Sequence, residues 1–104
     1  MSIYSKDGYF ESKLQLRPKN KEVLDYVLNQ LKKTDTKIAK EIKLKEGLDL
    51  YLSSRKTTIQ IAKKLKKVFK GDLKVTKKLF TVDKLTSKKV YRVTVLFRLK
   101  QEPL

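Results

Sequence analysis

The chain of 104 residues contains neither cysteine nor histidine. Disulfide bonds, thiolate nucleophiles and the usual zinc-ligand sets are therefore impossible. Histidine is also the commonest general acid or base, so proton transfer would depend on the 11 aspartate and glutamate residues. These acids show no inward-facing pair. We expect a protein that is not an enzyme and that uses no metal, cofactor or small-molecule substrate.

Long apolar runs are also missing. No stretch approaches the roughly 18 apolar residues of a membrane span, and no signal-peptide pattern opens the chain. We expect a soluble, cytoplasmic protein without membrane contact. The length suggests one domain, which we place at residues 8–100, with a lead-in at 1–7 and a tail at 101–104.

Negative charge is scarce: 27 lysine and arginine residues face 11 acidic ones, giving a net charge of +16. Such a field destabilises a compact chain by self-repulsion and indicates a polyanionic partner. A thermophilic source would also explain abundant lysine, but it predicts abundant glutamate as well. The excess is uneven, since residues 53–92 hold 14 basic and two acidic residues, a net charge of +12.

The centre of this basic half is the stretch GLDLYLSSRKTTIQIAKKLKKVFKG at residues 47–71. Alternating leucines predict a strand over 48–52, and Ser53 or Ser54 is suited to cap the helix that follows. On a helical wheel the apolar residues Ile61, Ala62 and Leu65 share one arc, and the cations occupy the other side.

Hydrophobic periodicity predicts the other elements. Strands are expected over residues 8–17, 41–45, 72–82 and 88–100, and a helix capped by Asn20 runs to Lys33. Residues 34–40 fit either a helical tail or the lead into a strand. Gly47, with φ > 0, ends a hairpin turn or marks a bulge in one long strand; we favour the hairpin.

The resulting order, β-α-β-β-α-β-β, predicts an α+β fold: a two-layer α/β sandwich with a mostly antiparallel sheet and two helices on one face. We place six residues on the helix side (Phe10, Leu14, Leu50, Val93, Val95 and Phe97). Six more are expected on the open side (Lys13, Arg17, Lys43, Tyr51, Arg92 and Arg98). Gly71 is expected to end the second helix, and a bulge is expected at Lys77–Lys78.

Residues 47–71, the segment KKLFTVDKLTSKKVYRVTVLFRL at 77–99 and YFESKLQLRP at 9–18 resemble a known family. It is the archaeal branch of the large-ribosomal-subunit export adaptors, called nonsense-mediated decay protein three in eukaryotes. The resemblance covers about residues 8–100. It implies a part in maturation or export of the large subunit, with ribosomal RNA and large-subunit proteins as partners.

This sequence departs from the family in two respects. Members carry Cys-x-x-Cys zinc knuckles near the N-terminus, and eukaryotic members carry export signals near the C-terminus. Both are missing here, so zinc and export roles are not carried over. The chain is either an excised middle domain or a shortened relative.

We predict that the basic residues of the second half bind RNA through its phosphates, because lysine supplies point charges whereas base reading favours arginine, of which there are four. The predicted RNA-binding residues are Arg55, Lys56, Lys63, Lys64, Lys66, Lys67, Lys70, Lys74, Lys77, Lys78, Lys88, Lys89 and Arg92. The alternative for the lysines is a solvated charged face.

Two further sites are weighed. The Ser53–Ser54 turn could hold a phosphate on free N–H groups, although simple capping is favoured. Tyr9 and Tyr51 could stack bases on the open sheet face, although packing against neighbours is the commoner role. Asp49 is expected to pair with a lysine. The alternative function is a protein-interaction module in a ribosome-associated assembly, with charge serving solubility.

Overall fold

The computed structural model describes residues 8–82 and 89–99, and at 80–82, 89 and 90 it describes the backbone alone. The elements are β1 (Ser12–Arg17), α1 (Lys21–Lys32), β2 (Ile38–Leu44), β3 (Gly47–Leu52), α2 (Arg55–Val68), β4 (Gly71–Val82) and β5 (Lys89–Leu99). The predicted order of elements and the α+β class are confirmed. The predicted lead-in and tail lie outside the described residues.

A single five-stranded sheet contains every described strand, in the order β2-β3-β1-β5-β4. β1 pairs with β5 in parallel, and the other three pairings are antiparallel. The first strand of the chain therefore occupies the centre of the sheet. At that centre Leu14 lies opposite both Leu50 and Val95, and all three side chains are fully buried.

Both helices cover the same side of this sheet. Their buried residues recur every three or four positions, the spacing that places side chains on one helical face. Helix and sheet residues form one core: Leu14, Leu16, Val23, Val27, Leu31, Ile38, Leu48, Leu50, Leu52, Ile61, Ala62, Leu65, Val93, Val95 and Phe97. No helix of residues 8–82 and 89–99 lies on the opposite side of the sheet, which we call the open face.

The first helix forms as its sequence predicts. The Asn20 side chain accepts a hydrogen bond from the Val23 N–H at 3.1 Å, which satisfies one of the unpaired donors at a helix start. Glu22 in the first turn and Lys32 in the last suit the helix dipole.

The β2–β3 hairpin turns through Lys45 and Glu46, so the predicted hairpin is confirmed over the single bulged strand. The expected positive φ at Gly47 is wrong, because Gly8 is the glycine that has one. A Cβ at Gly47 would instead collide with the Leu16 carbonyl oxygen of β1. Glycine is needed here for close approach of two backbones.

A bulge in β2 reverses one prediction. The register of β2 against β3 shifts between Ile38 and Lys40. Beyond the shift, Lys43 pairs with Leu48, whose buried side chain faces the helices. Lys43 thus points to the helix side and Ile42 to the open side. The placement of Lys43 on the open face is wrong, because one extra residue exchanges the two faces of a strand.

Phe10 is also on the side opposite to the one predicted. The chain bends at Glu11, so the regular alternation of β1 begins only at Ser12. The Phe10 ring packs edge-on against Tyr51 of the open face, with 4.8 Å between ring centroids. The period-2 pattern predicted a strand over residues 8–17, but strand pairing starts only at Ser12, so the predicted strand begins too early.

The β4–β5 hairpin contains the longest strands, of 12 and 11 residues. Its register shift lies between Leu79 and Thr81, so the bulge predicted at Lys77–Lys78 is misplaced by two residues. Gly71 opens β4 and is not the expected helix stop, since α2 ends at Val68 and the capping residue Phe69 is already extended. The predicted turn at 83–87 lies outside the described residues.

Candidate nucleic-acid interface

The loop after β3 determines where the lysine-rich helix α2 starts. Ser54 is its N-cap, and the Ser54 hydroxyl accepts the Thr57 N–H at 3.3 Å. The Arg55 N–H is bonded to a carboxylate oxygen of Glu11 at 3.1 Å. The favoured capping role of this turn is therefore present. A carboxylate lies where the sequence suggested a phosphate.

Glu11 is held by a second donor, the Tyr9 hydroxyl, at 2.6 Å. Partial burial alone would raise the pKa of Glu11, but the bonds from Tyr9 and the Arg55 N–H, with the charge of Arg55, outweigh it and the pKa is lowered. The same hydrogen bond to Glu11, and then burial, raise the pKa of Tyr9 above 10.0. Tyr9 therefore supports the start of α2 through Glu11, and base stacking by Tyr9 stays a prediction.

The inner side of α2 is fixed to β1 by a buried polar contact. The Thr58 and Ser12 hydroxyls lie 2.5 Å apart, and the Thr58 hydroxyl donates to the Ser54 carbonyl at 2.8 Å. Both residues are almost completely buried, so these bonds satisfy groups that would otherwise be costly to desolvate. The contact sets which side of α2 is turned to the solvent.

The charged residues on that outer side are all cationic, and Gln60 and Val68 are exposed beside them. The exposed lysines of α2 and the residues just after it are Lys56, Lys63, Lys64, Lys66, Lys67 and Lys70. Lys64 donates to Gln30 of α1 at 3.3 Å. In the described part of the chain no carboxylate lies within 4.0 Å of the side-chain nitrogen of Lys56, Lys63, Lys66 or Lys67.

Arg55 differs from these lysines. Its Nη1 donates to the Tyr91 carbonyl of β5 at 3.1 Å, and the side chain is half-buried. Arg55 thus attaches the first turn of α2 to the sheet. The assignment of Arg55 to the RNA-binding cations stays a prediction.

The open sheet face has its own basic cluster, built around a buried acid. Asp49 Oδ1 lies 2.8 Å from Arg17 Nη2, and Asp49 Oδ2 lies 3.4 Å from Lys13 Nζ. The expected pairing of Asp49 with a lysine is present, and an arginine joins it. Because Arg17 and Lys13 both belong to β1, these ion pairs connect β1 to β3 across the open face.

Tyr51 lies on this open face among cations. Its ring contacts Phe10, and Lys13 Nζ is 5.5 Å from its centroid. The Arg92 guanidinium stacks over the other ring, 3.9 Å from the Phe10 centroid. Tyr51 is half-buried by these contacts. The structure shows Tyr51 packed between neighbours, and base stacking by Tyr51 stays a prediction.

The lysines of the last hairpin divide between the two sides. Lys74 and Lys78 pair with Leu96 and Arg92, which places them on the open face. Lys77 pairs with Val93 and lies on the helix side of the sheet, where its Nζ is 4.4 Å from the Tyr91 ring centroid. Lys88 lies outside the described residues, and only the backbone of Lys89 is described.

Most of the predicted binding residues whose side chains are described lie on two basic surfaces. One is the outer face of α2, and the other is the open sheet face with Lys74, Lys78 and Arg92. The sheet and its helix layer separate them. From the sequence, the cations of both surfaces were predicted to form one binding site. The count of charges along the chain does not say to which side of the sheet each strand residue points. The sequence did not predict that Glu11 binds the first N–H of α2, because the two residues are 44 positions apart and no neighbouring residue indicates the contact.

Among residues 8–82 and 89–99, no three acidic side chains come together in a way that could hold a metal ion. No helix in those same segments is long and apolar enough to cross a membrane.

A comparison with models of known protein families gives a match over most of the chain. The model of the family described as NMD3, second domain, matches residues 9–99. This range includes every strand and helix of the structure. No curated protein matches the chain.

Proposed function

The chain belongs to the NMD3 family, a family linked to export of the large ribosomal subunit, and from that premise we propose that this domain binds RNA. The RNA we propose is ribosomal RNA of the large subunit, contacted in the cytoplasm during maturation or export. The domain's role is recognition without catalysis. Large-subunit proteins are additional proposed partners.

The observation that carries this proposal is the outer face of α2. Its lysines are exposed, and four of them have no carboxylate within ion-pair distance in the described part of the chain. Cations gathered on one helix without acidic neighbours repel one another. A polyanion would relieve that repulsion, whereas a merely solvated face is normally mixed in charge.

The chemistry of the face favours contact with the RNA backbone. Lysine ammonium groups bind phosphates as point charges and do not provide the planar, two-pronged geometry that reads base edges. Lys63 and Lys67 are four residues apart on α2, so they lie about one turn, 5.4 Å, apart along the axis. The proposed binding is therefore electrostatic and sensitive to RNA shape more than to sequence.

The first test is the salt dependence of binding to a structured ribosomal RNA fragment. If about five to eight phosphates are contacted, log Kd should change with log salt with a slope of about 4 to 6 in magnitude. Fluorescence anisotropy over a salt series measures this slope. A slope near zero would contradict the proposal.

The second test reverses the charge of Lys63, Lys66, Lys67 and Lys70 to glutamate in one variant. We expect RNA binding to be lost at physiological salt and any residual salt slope to be shallower by about 3. A matched variant carries the same change at four other exposed lysines, Lys32, Lys33, Lys40 and Lys45. It has the same net charge and should retain most of the affinity.

The two variants separate a local site from a general charge effect. Equal losses in both would show that the α2 face is not the site. Retained affinity in the α2 variant would reject the assignment outright. If the domain instead acts only through protein contacts, its association with large subunits should survive nuclease treatment and about 0.5 M salt, where surface charges are screened.

A further inference from the structure

The open sheet face carries a basic surface on β1, β5 and β4. Residues that pair directly across two strands lie on the same side of a sheet, so Lys78 shares the side of Arg92. The cations of this surface are Lys13, Arg17, Lys74, Lys78, Arg92 and Arg98. Two strand acids of the described chain lie on the same side, Asp49 and Asp72. The cations outnumber these acids, so the surface attracts anions.

A guanidinium and two aromatic rings meet at one end of this surface. The Arg92 Cζ atom lies 3.9 Å from the centroid of the Phe10 ring, and that ring packs edge-on against Tyr51. Phe10 reaches this position because the chain bends at Glu11. Contact with the ring limits the orientations of the guanidinium plane, since arginine packs flat on an aromatic face. We call Arg92, Phe10 and Tyr51 the planar cluster.

The planar cluster has the chemistry that recognises unpaired bases. Aromatic rings and guanidinium planes are the surfaces on which proteins stack bases that have left a duplex. Polar side chains lie on the same face: Thr94 pairs with Thr76, and both carry hydroxyls that donate and accept hydrogen bonds. The lysines and arginines around the cluster provide contacts for the phosphates that connect such bases. Base contacts and phosphate contacts can therefore be made from one side of the sheet.

We propose that the open sheet face binds single-stranded RNA, with a base stacked on the planar cluster and phosphates on the surrounding cations. The inference rests on the proposed function, because it takes RNA as the partner of the domain. It adds a second surface and the state of the RNA that this surface selects. Its contacts do not involve the α2 lysines, which lie on the opposite layer of the domain, so the two surfaces can be tested separately.

Two other partners fit this surface less well. Duplex RNA keeps its bases paired and stacked inside, so it can place phosphates on the lysines but no base on the planar cluster. An acidic peptide is attracted by the same cations, but its carboxylates bind the edge of a guanidinium and leave the plane and the rings unused. The planar cluster therefore favours an unpaired nucleic acid over both.

The probes are a fluorescein-labelled ten-nucleotide oligouridylate and a ten-base-pair RNA duplex with the same label. Both are titrated by anisotropy against the α2 variant with four reversed lysines, at about 0.05 M NaCl, where phosphate contacts are strong. In this variant we expect the oligouridylate to bind with Kd below about 1 mM and at least about tenfold more tightly than the duplex. No saturable oligouridylate binding, or equal affinity for the two probes, would overturn the proposal.

Titration of the unmodified protein separates this proposal from the proposed function. If α2 alone binds RNA, the unmodified protein binds both probes and the α2 variant binds neither. That result overturns the second surface and leaves the assignment of the α2 face intact. If the unmodified protein binds neither probe nor the structured ribosomal RNA fragment, the proposed function fails as well.

A matched pair of variants separates stacking from charge. Arg92→Lys keeps the positive charge and removes the guanidinium plane, whereas Arg98→Lys makes the same change at an exposed position outside the planar cluster. We expect oligouridylate binding to weaken about tenfold in Arg92→Lys and less than about twofold in Arg98→Lys. Duplex binding should be the same in both variants. Equal losses of oligouridylate binding would overturn the stacking contact.

Phe10→Leu tests whether the ring positions Arg92. Leucine keeps the apolar bulk and removes the ring, so oligouridylate binding should again weaken about tenfold. The losses of Phe10→Leu and Arg92→Lys should not add in the double variant, because both break one contact. Additive losses, or no loss in Phe10→Leu, would overturn the positioning role, and thermal unfolding checks that every variant folds. Displacement of the oligouridylate by an equimolar ten-residue polyglutamate would overturn the proposal and assign the face to an acidic protein.

Discussion

Single side chains at the start of α2 connect distant parts of the chain. Glu11 precedes β1, yet its carboxylate bonds to the N–H of Arg55, 44 residues later. Arg55 in turn reaches the backbone of Tyr91 on β5. A helix of lysines has no acid of its own in its first turn. Glu11 supplies, from another element, the negative charge that the helix dipole favours there.

Glu11→Gln tests this contribution through pH. The pKa of Glu11 is lowered from 4.5 in the folded protein, so its charge stabilises the fold above about pH 4.5, and that stability is lost as pH falls through the lowered value. Near pH 7 we expect the glutamine variant to have a free energy of unfolding about 0.5 kcal/mol lower. Urea unfolding at several pH values measures the difference.

The difference should shrink towards zero as the pH falls through the lowered pKa of Glu11, because both proteins then carry a neutral side chain at position 11. Glu46→Gln, the same change in the exposed β2–β3 turn, is the control and should have little effect at any pH. A difference that stays constant down to about pH 3 would contradict the role of the Glu11 charge.

At the scale of elements, the β2–β3 hairpin shows how irregularities decide the surface. The bulge after Ile38 turns Lys43 towards the helices, and the bend at Glu11 turns Phe10 away from them. The bulge thus moves the charge of Lys43 to the helix side of the sheet, and the bend moves the ring of Phe10 to the open side. The ion pairs of Asp49 with Lys13 and Arg17 then hold β1 and β3 together on the open side.

Gly47→Ala tests how closely β3 packs against β1. A Cβ at this position would collide with the Leu16 carbonyl oxygen, which cannot move without disturbing the ladder. We expect the free energy of unfolding to fall by at least about 2 kcal/mol. Lys45→Ala, in the adjacent exposed turn, should change it by less than about 0.5 kcal/mol.

Denaturant unfolding of both variants measures these values. A Gly47→Ala protein as stable as the original would mean that the sheet accepts a side chain at this position. Retained stability in Lys45→Ala shows that the turn itself tolerates change and that the effect belongs to the contact with β1.

At the scale of the whole molecule, the fold separates two basic surfaces. The α2 face and the open sheet face lie on opposite layers. The net charge of +16 in one small domain lowers the stability of the folded state, because the like charges repel one another.

Salt should therefore stabilise the free protein. Raising NaCl from about 0.05 M to about 0.5 M screens the repulsion, and we expect the melting temperature to rise by a few degrees. The variant with four reversed lysines on α2 has a lower net charge and should respond less. Calorimetry of both proteins checks this, and an equal or opposite response would contradict it.

Much of this architecture could be predicted from local patterns. The order of elements follows from period-2 and 3.6-residue spacing, which depends only on neighbours along the chain. Asn20 and Ser54 could be identified as caps because capping acts within one turn. The lysine-rich face of α2 was predictable for the same reason, since a helix repeats without interruption from Arg55 to Val68.

The two irregular points could not be predicted, because a bulge or a bend is selected by the partner strand and not by the residues that form it. By itself, the sequence determined the charge, the succession of elements and the cationic side of α2, all of which are local properties. Only the tertiary structure decided that Lys43 points to the helix side, that Phe10 joins Tyr51 and that Glu11 caps a helix 44 residues away. Those outcomes depend on register and on contacts between distant segments, which no single stretch of sequence contains.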